Sequence, residues 1–377
     1  MKRVLLLAGV FAASGAAVAQ VPPPIVSAPS ASAPQQVLLA WMPGEVRCGN
    51  SVIAATPMRR PWTSLYWSAP SSDAPKPLAF TFRIDADGRA LSIKRDGDAY
   101  APFSDDIAPS LAASQFARGA ERSGCRVIYT ASRTPLAEAP IEDLISYSLN
   151  PMSGALPKAG WDRIRSPAAT CIDEPRPRPL TQVYPDFLSF AGTPGVRDWS
   201  MVGYDQDARG KPTHVRIDYG TGNRALDTAA IKAVAASRYT GGARTGCRFP
   251  FWRAAEKLPA PPIPDDPVAR PAGATCPEGR DWATRPVLRF PDAYRRRSIE
   301  GWAVVTYDVA PWGEIGNVKV VAAEPSDDFG KQAIQVLRSA KLADAPQGAT
   351  GCVDRVRFVM GPVGGVLSNE EPPPPPF

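Results

Sequence analysis

Six cysteines are the residues of this 377-residue chain best suited to chemistry, and their spacing is regular. Taken as consecutive pairs, Cys48 and Cys125 lie 77 positions apart, Cys171 and Cys247 lie 76 apart, and Cys276 and Cys352 lie 76 apart. The flanks repeat as well. Arg165 to Cys171 reads Arg-Ser-Pro-Ala-Ala-Thr-Cys and Arg270 to Cys276 reads Arg-Pro-Ala-Gly-Ala-Thr-Cys. Each second cysteine follows Gly-Ala and then Gly: Gly119-Ala120 with Gly124, Gly242-Ala243 with Gly246, and Gly348-Ala349 with Gly351. A fixed period marks internal repetition. Six cysteines leave fifteen connectivities open. The constant interval favours one bridge per repeat, each stabilising its unit by about 4–5 kcal/mol in the chain-entropy account. Metal binding is disfavoured, because there is no Cys-x-x-Cys and His214 is the only histidine.

The remaining reactive types do not assemble into a catalytic constellation. A single histidine excludes most Ser–His and Cys–His arrangements, and there is no Gly-x-Ser-x-Gly elbow. His214 falls on a return strand after Pro212-Thr213, where a surface role is expected of it. The carboxylate pairs Asp105/Asp106 and Asp327/Asp328 precede helical patterns and suit the positive end of a helix dipole. Asp85-Ala86-Asp87-Gly88 lacks the glutamate of a calcium loop and reads as a hairpin turn. Gly220-Thr221-Gly222 follows a hairpin strand, so it reads as an approach to a helix and not as a phosphate loop. The Arg295-Arg296-Arg297 triplet is expected on a solvated helix edge. No cofactor is implied, and the absence of clustered positive charge argues against nucleic acid as a partner.

The elements that must carry these residues are clearest between Phe290 and Met360. A short helical stretch at Phe290–Tyr294 precedes the apolar run Gly301–Asp308, a Pro-Trp-Gly turn, and a second strand at Val318–Val321. A helical pattern with Phe329, Ala333, Ile334 and Leu337 follows, then the alternating segment Val353 to Met360. Weaker versions lie upstream. The first has strands Ala79–Ile84 and Ala90–Lys94 and a helix from Ser104 towards Phe116; the second has strands Trp199–Tyr204 and His214–Asp218 and a helix Ala225–Tyr239. A short helix is expected at Ile141–Leu149 in the connection between them.

The expected fold is α+β, three tandem small domains of helix-hairpin-helix-strand type with one disulfide each. The division is 1–19 signal peptide, 20–36 Pro/Ala/Ser-rich lead-in, 37–135 first repeat, 136–165 connector, 166–256 second repeat, 257–270 Pro-rich linker, 271–366 third repeat, and 367–377 polyproline tail. Lys2 and Arg3, the apolar run Val4–Ala13 and Ala17-Val18-Ala19 form a cleavable export signal ending before Gln20. That places the mature chain in the periplasm, where disulfides form. An uncleaved anchor in the inner membrane is the alternative.

With no catalytic group, an interaction surface remains. In the last strand Val356, Phe358 and Met360 face one way and Arg355, Arg357 and Val359 the other. At a sheet edge such a strand accepts an added strand from a partner. Its counterpart in the second repeat, Arg248-Phe249-Pro250-Phe251, contains a proline that blunts the edge.

The third repeat resembles the C-terminal domain of TonB-family energy transducers over residues 288–360. The resemblance rests on Phe290-Pro291-Asp292-Ala293, Ile299-Glu300-Gly301-Trp302-Ala303-Val304-Val305, Gly313-Glu314-Ile315, Val318-Lys319-Val320 and the helix Phe329 to Leu342. It implies a periplasmic domain that binds the N-terminal box peptide of outer-membrane receptors by strand addition. In the full family, an anchored N-terminus carrying a histidine couples this binding to a proton-driven motor. Here the N-terminus reads as cleavable and lacks histidine, a long Pro/Lys/Glu-rich spacer is missing, and Leu342 replaces the aromatic that often closes the helix. The expected function is therefore non-enzymatic binding of a protein partner, an outer-membrane receptor peptide or an envelope component. The alternatives are a membrane-anchored energy transducer for outer-membrane transport and, in another class, a periplasmic enzyme using His214.

Overall fold

The computed structural model describes residues 35–68, 73–263, 271–277, 279 and 281–361. The signal peptide, most of the lead-in and the polyproline tail lie outside the described residues. In chain order the first stretch contains β1 (Gln35–Pro43), β2 (Val46–Cys48), β3 (Ser51–Ile53), β4 (Ser64–Ser68), β5 (Leu78–Ile84), β6 (Ala90–Arg95), α1 (Ile107–Ala112) and β7 (Arg122–Pro135). The helices α2 (Ile141–Leu149) and α3 (Lys158–Ile164) follow. The middle stretch contains β8 (Pro179–Thr181), β9 (Asp198–Gln206), β10 (Pro212–Gly220), α4 (Arg224–Ala236), β11 (Arg238–Tyr239) and β12 (Arg244–Arg253). The last contains β13 (Trp282–Thr284), α5 (Asp292–Arg296), β14 (Gly301–Val309), β15 (Ile315–Glu324), α6 (Asp327–Arg338), β16 (Lys341–Leu342) and β17 (Ala349–Phe358).

The fold is α+β and dominated by antiparallel strands. Two sheets have three strands, in the orders β10-β9-β12 and β15-β14-β17. The first sheet shares that pattern in β6-β5-β7 but continues beyond β7 into β2, β3, β1 and β4. The central strands β9 and β14 are buried almost throughout because both of their faces are covered. Trp199 and Met201 of β9 face a core containing Leu144 and Ile145 of α2, whereas Val202 and Tyr204 face one containing Leu226 and Val234 of α4. The core of the third sheet is continuous with that of the first: Ala303, Val305, Phe329 and Phe358 join Phe80, Phe82, Ile93 and Leu111 in one cluster.

The same local geometry recurs in all three sheets. Gly88, Gly210 and Gly313 close the hairpin turns at φ of 80°, 77° and 83°. Their carbonyls accept the N–H of Phe116, Tyr239 and Leu342, each just after its helix. A Cβ on any of these glycines would strike the carbonyl oxygen of that same residue, so glycine is required sterically and for its backbone conformation. Leu342 thus occupies the place that aromatics take in the other two sheets.

Each cysteine pair at the constant interval is a disulfide: Cys48–Cys125, Cys171–Cys247 and Cys276–Cys352. The helix α2 spans the expected Ile141–Leu149. Other helices differ at their ends. α4 and α6 stop at Ala236 and Arg338, and the residues expected to extend them form the short strands β11 and β16. α1 covers only Ile107–Ala112. The sequence reading missed β1, which begins at Gln35 within the expected lead-in.

Two charge assignments need correction. Arg295 is solvated beside Asp292, as expected, but Arg297 is buried. Its Nε and Nη2 donate to the two oxygens of Asp106 at 2.6 and 2.5 Å, with side-chain exposures of 2 % and 4 %. Asp106 precedes α1 without making a side-chain cap hydrogen bond; it is an ion-pair partner. Arg297 follows the last residue of α5, where the chain turns inward, and burial of its charge requires a carboxylate. The same guanidinium also donates to the carbonyls of Gly195 (3.2 Å) and Arg60 (3.0 Å), so one side chain ties the last stretch to the first and the middle one.

Candidate edge for strand addition

The strand β17 is held on one side by β14, antiparallel, with Gly301 opposite Phe358, Ala303 opposite Val356 and Tyr307 opposite Cys352. Among the described residues no strand pairs with its other side. The side chains alternate as the sequence requires. Phe358 is buried and Val356 packs partly against the core, while Arg355, Arg357 and Val359 are exposed. Phe358 sits in an aromatic cluster with ring centroids 5.3 Å from Phe329 and 5.8 Å from Phe290. That cluster fixes the far end of the strand to α6 and to the segment before α5.

Both ends of the outer edge are closed. At the start, Thr275 N–H donates to the Thr350 carbonyl at 3.0 Å, Thr350 N–H donates to Thr275 Oγ1 at 3.0 Å, and the Cys276–Cys352 bridge follows. At the finish, Met360 N–H donates to the buried carboxylate of Glu300 at 2.8 Å, with Lys257 Nζ 3.6 Å from that carboxylate. Val353 to Phe358 lie between these closures. Of the six candidate binding residues, Arg355, Val356, Arg357 and Phe358 fall on β17, whereas Val359 and Met360 follow its end.

The corresponding edge of the first sheet is covered by the chain itself, and that of the second is latched at its start as β17 is and interrupted by a proline. Along β7, Cys48 lies opposite Cys125 and Arg47 opposite Arg126. Gly44 N–H donates to the Ile128 carbonyl at 2.8 Å, and β1 continues the pairing from Pro43–Tyr129 to Val37–Pro135. Along β12, Thr170 N–H donates to the Thr245 carbonyl at 3.0 Å and Arg248 reaches the carbonyl of Ile164. Pro250 removes one donor from the same strand. The apolar run Val37-Leu38-Leu39-Ala40-Trp41 was the available signal for the covering strand β1, since an uninterrupted apolar run marks a strand buried on both faces.

His214 lies outside this edge and is exposed. It occupies a bulge of β10 at φ 51°, and Ser92 and Asn317 sit four residues after the turn glycine in the other sheets at φ 52° and 51°. His214 Nδ1 is 3.0 Å from Asp205 Oδ2, while the other oxygen of Asp205 accepts Gly246 N–H at 2.8 Å. In the third sheet Asn317 Nδ2 donates to Asp308 at 2.8 Å and Gly351 N–H at 2.9 Å. An amide therefore makes the same contact as the imidazole, so the position serves the bulge. The hydrogen bond from Asn317, then that from Gly351 and the charge of Lys319, hold the Asp308 carboxyl below its ordinary range. A depressed folded-state pKa gives stability that is complete above the unfolded value of about 3.9 and is lost as pH falls through the folded value. In urea titrations below about pH 4, wild type is expected to lose more stability than Asp308→Asn. Parallel acid limbs would show that Asp308 contributes nothing.

A three-stranded antiparallel sheet backed by one helix, with a disulfide and, among the described residues, no strand outside β15 or β17, makes a small α+β unit. Residues 286–360 match the family described as Gram-negative bacterial TonB protein C-terminal, which identifies a TonB C-terminal domain in this part of the chain. Domains of this family act in protein interactions of the bacterial envelope. No curated protein matches the chain. No helix among the described residues is long and apolar enough to cross a membrane.

Proposed function

We propose that this is a non-enzymatic envelope protein of the periplasm that binds a protein partner by adding the partner's strand to β17. The accepting residues are Arg355, Val356, Arg357 and Phe358, with Val359 and Met360 at the exit. Outer-membrane receptor peptides and envelope components are the partner classes. The observation that carries this reading is the contrast between edges: β7 is paired with β1 and β2, β12 is interrupted by Pro250, and β17 has neither a proline nor, among the described residues, a strand on its outer side. An unpaired row of N–H and C=O groups is what strand addition uses. The shared turn, bulge and disulfide geometry supports reading the first two stretches as diverged copies of the third, with β7 covered by the chain and β12 interrupted by Pro250.

Proline substitutions at two adjacent positions test this. In an antiparallel strand one of the residues 355 and 356 directs its N–H outward and the other towards β14. Of Arg355→Pro and Val356→Pro, the outward variant is expected to weaken binding of receptor N-terminal peptides at least tenfold while the thermal midpoint holds. The inward variant is expected to lower the midpoint. Peptide affinity unchanged in the outward variant, measured by fluorescence anisotropy, would exclude addition at this edge.

A further inference from the structure

Where the three sheets meet, Arg297 forms part of the wall of a cleft of about 250 Å³. Its lining comes from every part of the fold. Arg59, Arg60 and Trp62 precede β4, Asp143 and Asn150 belong to α2 and its end, and Arg197 and Thr221 come from the middle stretch. The arginines outnumber the acids, and all but Arg59 have assigned contacts. Arg60 pairs with Asp143 at 3.0 Å, Arg197 donates to the Leu149 carbonyl at 3.0 Å and lies over the Trp252 ring, and Arg297 is bound to Asp106.

Arg59 differs. Its backbone N–H donates to Ser114 Oγ at 2.8 Å, which fixes the main chain, but its guanidinium forms no ion pair among the described residues. Its Nε is buried without a hydrogen-bond partner. Asp198 attracts it electrostatically, but that carboxylate is already committed. Its Oδ2 accepts Thr193 N–H and Asn223 Nδ2, each at 2.8 Å, and its Oδ1 accepts Thr221 Oγ1. Glu142, at the exposed rim of the cleft, makes no ion pair with Arg59 either. A half-buried cation facing a cleft beside a second cation is destabilising, and burial together with Arg297 pulls the Arg59 pKa down. An anion entering the cleft would remove that penalty, and a guanidinium fork matches the paired oxygens of carboxylate and phosphate groups.

We propose that this cleft is a binding site for a small oxyanionic ligand, carrying a phosphate or carboxylate group, with Arg59 as its principal contact. Because the lining comes from the first, middle and last stretches and from α2, the ligand would also hold them together. The site is separate from the β17 edge and does not depend on strand addition.

The test uses the full exported chain with inorganic phosphate and with citrate as probes, against sodium chloride at matched ionic strength. Either oxyanion is expected to raise the thermal midpoint saturably at millimolar concentration, and calorimetric titration of Arg59→Met is expected to show at least tenfold weaker binding. Without oxyanion, Arg59→Met is expected to unfold no earlier than wild type. A response to phosphate alone or citrate alone identifies the group that the cleft prefers. The proposal is overturned if neither probe gives a saturable shift beyond the chloride control. It is equally overturned if Arg59→Met binds as tightly as wild type.

Discussion

Replacing Arg297 with alanine is expected to destabilise the protein by about 3–5 kcal/mol, since removing one partner leaves a buried carboxylate without its counter-charge. The loss should exceed that of an ordinary surface pair because both side chains are almost fully excluded from water. Arg297 also supplies hydrogen bonds to Arg60 and Gly195 and lies over the Trp62 ring at 4.7 Å, so the variant removes contacts to two other parts of the chain. Asp106→Ala should be comparably damaging, because it strands the guanidinium and also removes the acceptor of Trp62 N–H at 2.7 Å. The double variant Arg297→Met with Asp106→Leu should recover much of the loss, since it removes the desolvation cost of both charges at once. Urea unfolding followed by tryptophan fluorescence reads all three variants. A loss below about 1 kcal/mol in Arg297→Ala would mean that the pair behaves as a solvated one.

Phe329→Ala is the second change with a large expected effect, a loss of about 3–5 kcal/mol from cavity formation and lost transfer free energy. The ring is fully buried, with centroids 4.7 Å from Tyr294, 5.3 Å from Phe358 and 6.1 Å from Phe290. Phe358 ends β17, so a cavity on its inner side should loosen the proposed accepting strand as well as α6. Peptide binding is therefore expected to weaken under conditions where the variant remains folded. Phe329→Leu should be milder, roughly 1–2 kcal/mol, because a branched side chain refills part of the space. The third residue of α4 is Leu226, buried in its own core as Phe329, the third of α6, is in this one. Full peptide affinity in folded Phe329→Ala would dissociate the aromatic cluster from the edge.

Local patterns made much of this fold legible. The cysteine intervals led to the three bridges because a disulfide needs two residues at matching places in each unit, and the spacing repeats with them. The hairpins could be read from alternation and turn residues, and α2 from its periodicity, since both depend on near neighbours. The helix ends were less legible. No glycine or proline separates Lys341 and Leu342 from α6, yet the N–H of Leu342 is taken by the Gly313 carbonyl and the two residues form β16. Nothing within the helix sequence encodes that contact. The Arg295–Arg297 triplet has one composition and two environments: Arg295 meets solvent and Asp292, whereas Arg297 follows the end of α5 into the interior.

The cysteines that organised the sequence also mark the edge on which the functional reading rests. Sequence alone determined the period, the export-type composition, the strand that carries Arg355 to Phe358, and the resemblance of its surroundings to a known interaction domain. These properties depend on residue type and short-range order. Tertiary structure decided that β7 is covered and that, among the described residues, no strand lies outside β17, because covering an edge takes a distant segment, here residues 37–48 for β7. It also decided that Arg297 is buried and that the Arg59 guanidinium forms no ion pair among the described residues. The desolvation of a charge depends on what folds over it, and here that material comes from more than a hundred residues away in the chain.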